Sequence, residues 1–142
     1  MPVGDDAELL RETEKIVDVK SIDHLVLTVS DIETTLDFYR NVLGMKVETF
    51  SEGRIALKFG PQKINLHQYG NEFEPKAKSP LPGSIDLCFI TETPLVEAMS
   101  QVRADGVTII EGPVNKTGAL GPIKSFYFRD PDMNLIEVAN YI

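Results

Sequence analysis

Four residues of the kind that bind metals or move protons stand inside short apolar runs. His24 lies in "SIDHLVLTVS", His67 in "KINLHQYG", Asp86 in "SIDLCFIT" and Glu137 in "LIEVANY". Imidazole nitrogen and carboxylate oxygen together suit a divalent ion such as Zn, Ni, Co, Mn or Fe(II). Each residue alone has a plainer reading. His24 could be a hydrogen-bonded strand histidine, Asp86 the partner of a lysine, and Glu137 an exposed edge residue. Recurrence is what sets them apart.

The elements around them alternate as strands do, with residues two apart on one face. His24 shares a face with Val26 and Thr28, opposite Leu25, Leu27 and Val29. His67 shares one with Asn65 and Tyr69, opposite Ile64 and Leu66. Asp86 goes with Ser84 and Cys88, and Glu137 with Leu135 and Ala139. Between the first pair, "DIETTLDFYRNVLG" reads as a helix. Ser30 or Asp31 caps it, Ile32, Leu36, Tyr39 and Leu43 form its apolar stripe, and Gly44 ends it. The strands "MKVETF", "RIALKFG" and "KINLHQYG" follow, with turns at "SEG" and "GPQ". The first half thus reads β-α-β-β-β.

A Pro-rich linker, "NEFEPKAKSPLPG", precedes a second copy: strand "SIDLCFIT", helix "TPLVEAMSQVRADG", and strands "VTIIEG", "IKSFYFRD" and "LIEVANY". An offset of 62 carries His24 to Asp86, Leu25 to Leu87, Gly44 to Gly106 and Val47 to Ile109. Beyond an inserted "GPVNKTGALGP", "NLH" ending at His67 falls opposite "LIE" ending at Glu137. The first and last strand of each copy therefore carries one ionisable residue on the face away from the helix. If those faces pair inward, the four converge, and a divalent ion offsets the cost of burying them.

The expected fold class is α+β, with two paired β-α-β-β-β modules at 21–70 and 83–142. Residues 1–20 form an N-terminal helical extension, with a helix expected over 5–17. The chain has 142 residues, 42% apolar and 25% charged, which suits one soluble domain. A formal net charge of −8 argues against nucleic acid. One cysteine, Cys88, excludes an internal disulfide. The N-terminus has no signal-peptide core, and no run approaches a membrane span, so a cytoplasmic protein without membrane contact is expected.

"DHLVLTVSDIETTLDFYRNVLGMKV" and "FYFRDPDMNLIEV" resemble the opening and closing elements of the vicinal oxygen chelate superfamily. That superfamily includes glyoxalase I, methylmalonyl-CoA epimerase, extradiol dioxygenases, and fosfomycin and bleomycin resistance proteins. The resemblance covers about residues 20–142. It is strongest to small single-domain glyoxalase-like proteins, labelled lactoylglutathione lyases or virulence-associated glyoxalases. It implies a vicinal oxygen chelate fold with a concave metal-binding cavity, one divalent ion held by His24, His67, Asp86 and Glu137, and a homodimer. Bacterial glyoxalase I usually has glutamate at the position of His67 and histidine at that of Asp86. Its glutathione-binding arginine corresponds to Thr28 and its asparagine to Asn71, the two substrate-binding positions implied here. Met133 replaces the usual glycine of the closing turn.

The function so implied is a metal-dependent glyoxalase I-like lyase, working through an enediolate on a small substrate with vicinal oxygens. A glutathione hemithioacetal of methylglyoxal is the implied substrate. Glu137 is the implied base and Asp86 the second candidate. The alternatives are an Fe(II) extradiol-type dioxygenase and a non-catalytic binding protein of the antibiotic-resistance kind. Arg54, Lys58 and Lys124 could meet an anionic substrate, though surface charge is the commoner role. Phe38 and Tyr39 read as core, Cys88 as a small hydrophobe, and "GPVNKTGALGP" as a loop long enough for a lid.

Overall fold

The structure, a computed structural model, describes residues 16–142. The helix expected over 5–17 lies outside the described residues, apart from Ile16 and Val17, which are exposed and not helical. The first module runs β1 (His24–Val29), α1 (Ile32–Leu43), β2 (Lys46–Phe50), β3 (Arg54–Phe59) and β4 (Gln62–Gln68). The second runs β5 (Asp86–Ile90), α2 (Leu95–Ala104), β6 (Glu111–Thr117), β7 (Pro122–Arg129) and β8 (Leu135–Tyr141). Each module makes one four-stranded sheet, ordered β1-β4-β3-β2 and β5-β8-β7-β6. In both, the first and last strands pair in parallel across a helical crossover. The expected internal repeat is thus a repeat of topology. None of the helices among the described residues is long and apolar enough to cross a membrane.

Local chemistry explains the helix ends. Asp31, not Ser30, caps α1, accepting the Thr34 N–H at 2.9 Å. Gly44 closes it in the left-handed conformation, at φ 66°. Pro94 precedes α2 as its cap residue, outside the first turn.

The amphipathic faces then decide the packing. Leu27, Val29, Leu57, Ile64 and Leu66 of the first sheet enter one core with Phe126, Phe128, Ile136 and Val138 of the second. Leu36 and Tyr39 of α1 and Met99 and Val102 of α2 fill the same core. Phe38 of α1 packs against Phe128 of the second sheet, with ring centroids 6.2 Å apart. Helix-side faces therefore meet within the chain, and the opposite faces turn away from the core.

Two expectations fail in the second module. Residues 107–110 of "VTIIEG" are not a strand, and β6 lies instead in the segment expected to be an inserted loop. The edge strand "EGPVNKT" has little apolar alternation to announce it. It pairs with β7 by backbone bonds, through a register shift between Glu111 and Val114. What remains of the expected lid is a tight turn, closed by the Gly118 N–H donating to the Gly121 carbonyl at 2.8 Å.

Candidate functional site

Register places the candidate residues. Thr28 lies opposite His67 and His24 opposite Lys63, so the two histidines sit four residues apart along neighbouring strands. That is about 13 Å of strand rise. In the second sheet Cys88 lies opposite Glu137 and Asp86 opposite Leu135. If His24 and Asp86 are equivalent, as the first residues of β1 and β5, then Val26 matches Cys88. The residue opposite Val26 is Asn65, and the residue opposite Cys88 is Glu137. The counterpart of Glu137 is therefore Asn65. His67 matches Ala139. The alignment of "NLH" with "LIE" is out by two residues, because a period-two pattern keeps its face when it slips by one full period.

The environments follow this register. Four buried side-chain atoms among the described residues lack a hydrogen-bond partner: Asn65 Oδ1, His67 Nδ1, Ser125 Oγ and Glu137 Oε2. All four lie on the faces turned away from the core, since Asn65 and His67 are two apart on β4 and Ser125 lies opposite Ala139, two beyond Glu137. Unpaired buried polar atoms are costly and concentrate where something else must pair with them. His24 is prepared differently. Its Nδ1 lies 2.8 Å from the Asp23 carboxylate, which accepts from it and orients the ring. Asp86 is exposed.

His67 is engaged by a neighbouring cation. It is 2% exposed, and its Nε2 lies 3.3 Å from Arg54 Nη2. Burial, and then the Arg54 charge, holds its basicity below the usual histidine range. A neutral ring whose Nε2 accepts from a guanidinium carries its proton on Nδ1, so neither nitrogen offers a lone pair. Phe73, from the linker, packs edge-on against it with centroids 5.6 Å apart.

Glu137 sits between Cys88 and Tyr127, its partners on either side. Burial and the Glu137 charge push the Cys88 thiol up to about 11 and the Tyr127 phenol up to about 12. Both groups are therefore protonated beside the carboxylate at neutral pH. Thr28 is buried beside His67 and lines a cavity of about 420 Å³ with Lys76, Ser79 and Ser84. Asn71 is exposed past β4, and its side chain makes no hydrogen bond among the described residues.

Convergence of the four within one chain does not occur. Among the described residues no three His, Cys, Asp or Glu side chains stand close enough to hold a metal. The helix-side faces fill the shared core, and the His24 and Asp86 faces both turn away from it. The sequence pattern does not single out Asp23, Asn65, Ser125 or Tyr127. The available signals were adjacency to His24 and a shared face with His67 or Glu137.

The chain matches the family model for the glyoxalase/bleomycin resistance protein/dioxygenase superfamily over residues 21–138. It is 59% identical to virulence protein STM3117 of Salmonella typhimurium, over 87% of this chain and 86% of that protein. It is 53% identical to the glyoxalase domain-containing protein RDO1 of Mycosarcoma maydis, over 90% of this chain and 72% of that one. A solved integron cassette protein of V. cholerae, 64% identical, superposes with a TM-score of 0.88 over 89% of this chain and 99% of its own. The fold, the repeat and these matches agree, and the chain belongs to the glyoxalase/bleomycin resistance protein/dioxygenase superfamily.

Proposed function

We propose that the protein is a metal-dependent lyase or isomerase of the glyoxalase I kind, acting on a small substrate with vicinal oxygens at a site shared by two chains. The observation that carries this reading is the equivalence of Asn65 and Glu137. Matching positions of the two modules each hold a buried oxygen with no donor, diagonal to His24 and Asp86 respectively. His24, Asn65, Asp86 and Glu137 form the proposed ligand set, and His67 leaves it. The set fits a divalent ion: two carboxylates, an amide oxygen and an imidazole held ready by Asp23. Its oxygen-rich character favours Mn among the ions expected. Because these side chains form no metal-holding group within one chain among the described residues, a homodimer with the His24 face of one copy against the Asp86 face of the other completes the set.

A bound ion there would polarise a substrate carbonyl and make the adjacent C–H acidic. Glu137 Oε2, free of donors, takes the proton from that carbon and returns it to its neighbour. Tyr127 and Cys88 stay protonated beside it and donate hydrogen bonds toward developing negative charge. A hemithioacetal of methylglyoxal, rearranged to a lactoyl thioester, is the proposed substrate, with glutathione as the thiol.

The test is calorimetric titration of chelator-stripped protein with Mn²⁺ and Ni²⁺, beside Asn65→Ala, Glu137→Ala and His67→Ala, with sedimentation to give the oligomeric state. Expected is one site per chain in a dimer, lost in Asn65→Ala and Glu137→Ala and kept in His67→Ala. Absence of binding in the wild type, or binding untouched by the first two variants, would overturn the reading.

A further inference from the structure

We infer that Arg54 is the anchor for a substrate carboxylate, so that the substrates of the proposed site are organic acids. The inference rests on the reading of the His24 face as the substrate surface. Charge is the first observation. Register puts Lys46, Glu48, Phe50, Arg54, Lys58, Lys63, Asn65 and His67 on that one face. On these strands four cations stand against one carboxylate, and the linker adds the Lys76–Glu72 pair near His67, in a chain whose net charge is −8. A small anion is drawn to such a face by a field that opposes the global sign.

Geometry is the second. The Arg54 guanidinium lies against two aromatic rings, 5.5 Å from the Phe50 centroid and 4.8 Å from that of Phe73. Among the described residues it forms no ion pair with a carboxylate. Its one hydrogen bond goes to His67 Nε2. A guanidinium has five N–H donors in a rigid plane, so the remaining edge is unspent. The rings and His67 fix that plane. A carboxylate accepts two parallel N–H bonds from such an edge, which a lysine cannot supply. Arg54 lies at the level of His67, one face-step or about 7 Å along the strand from Asn65. The acid group therefore binds away from the reacting oxygens and orients the substrate. Arg54 is a specificity-determining residue in this role. His67, buried and bonded to it through Nε2, positions it.

The test uses metal-free protein, so that failure of the metal reading leaves it intact. Succinate and its neutral analogue succinamide are titrated separately, and the Arg54 Nε–Hε resonance is followed. Expected is saturable binding of succinate with a shift of that resonance, and none for succinamide. Arg54→Gln should weaken succinate binding by about tenfold or more, the weight of charge-assisted bonds. Arg54→Lys, which keeps the charge but not the two-pronged edge, should also weaken it. Arg103→Gln, on α2, should leave it unchanged. Succinate that fails to bind, binds no better than succinamide, or binds Arg54→Lys with wild-type affinity would overturn the inference. Succinate binding lost with Arg54, in a protein that takes up no metal, would uphold it while the metal reading fell.

Discussion

Tyr39→Phe removes one atom from the seam between the modules. The Tyr39 side chain is fully buried, and its hydroxyl donates to Asp130 Oδ2 at 2.6 Å. Asp130 is 4% exposed and also accepts from Asp132 N, Asn134 N and Asn134 Nδ2, so it keeps three of its four donors in the variant. The ring stays, with its edge-on contact to Phe38. The loss is thus one hydrogen bond to a buried acidic group, worth about 1.5–2 kcal/mol. For a chain of this size that is a fall in melting temperature of roughly 5–8 °C. The pH dependence has a definite sign. Burial, and then the Asp130 charge, raises the Tyr39 phenol above its ordinary 10.0. Above that pH the unfolded phenol ionises while the folded one keeps its proton, so the unfolded state binds fewer protons and stability falls as pH rises. The Tyr39 contribution is complete below pH 10.0 and is progressively lost above it. Urea unfolding of both proteins at neutral pH and at alkaline pH measures this. A neutral-pH difference under about 0.5 kcal/mol, or a gap that widens on going alkaline, would refute the reasoning.

Two further outcomes test the backbone. Gly112 has φ 121°, and a Cβ there would lie 2.6 Å from the Phe126 Cα. Gly112→Ala should therefore cost at least about 3 kcal/mol, whereas Gly53→Ala, with φ 85° and open space around it, should cost about 1 kcal/mol; equal losses in denaturant unfolding would contradict the bulge packing. Met133 occupies the left-handed region at φ 69° with its side chain mostly exposed. Met133→Gly should raise stability by about 0.5–1 kcal/mol, and a melting temperature that drops would show that this methionine packs against something.

Much of this protein is local, and local features are legible. Alternation along "DHLVLTV" and "SIDLCFI" put His24 and Asp86 on the faces away from the helices, and the structure keeps them there. Asp31 and Gly44 marked the ends of α1 because caps are satisfied within one turn of chain. The edge strand β6 was not legible, since backbone pairing with β7 makes it a strand and its side chains carry little pattern. The site divided along the same line. Residue types and faces came from the sequence. Which residue of β4 stands level with Glu137 did not, because a slip of two keeps every side chain on its face. The parallel pairings set that level, with Asn65 opposite Val26 in the first sheet and Glu137 opposite Cys88 in the second. Only tertiary packing shows that Arg54 bonds to His67 Nε2, and that helix-side faces meet inside one chain while the opposite faces turn away from that core. These are long-range matters of register and core filling, decided between segments that meet only after folding.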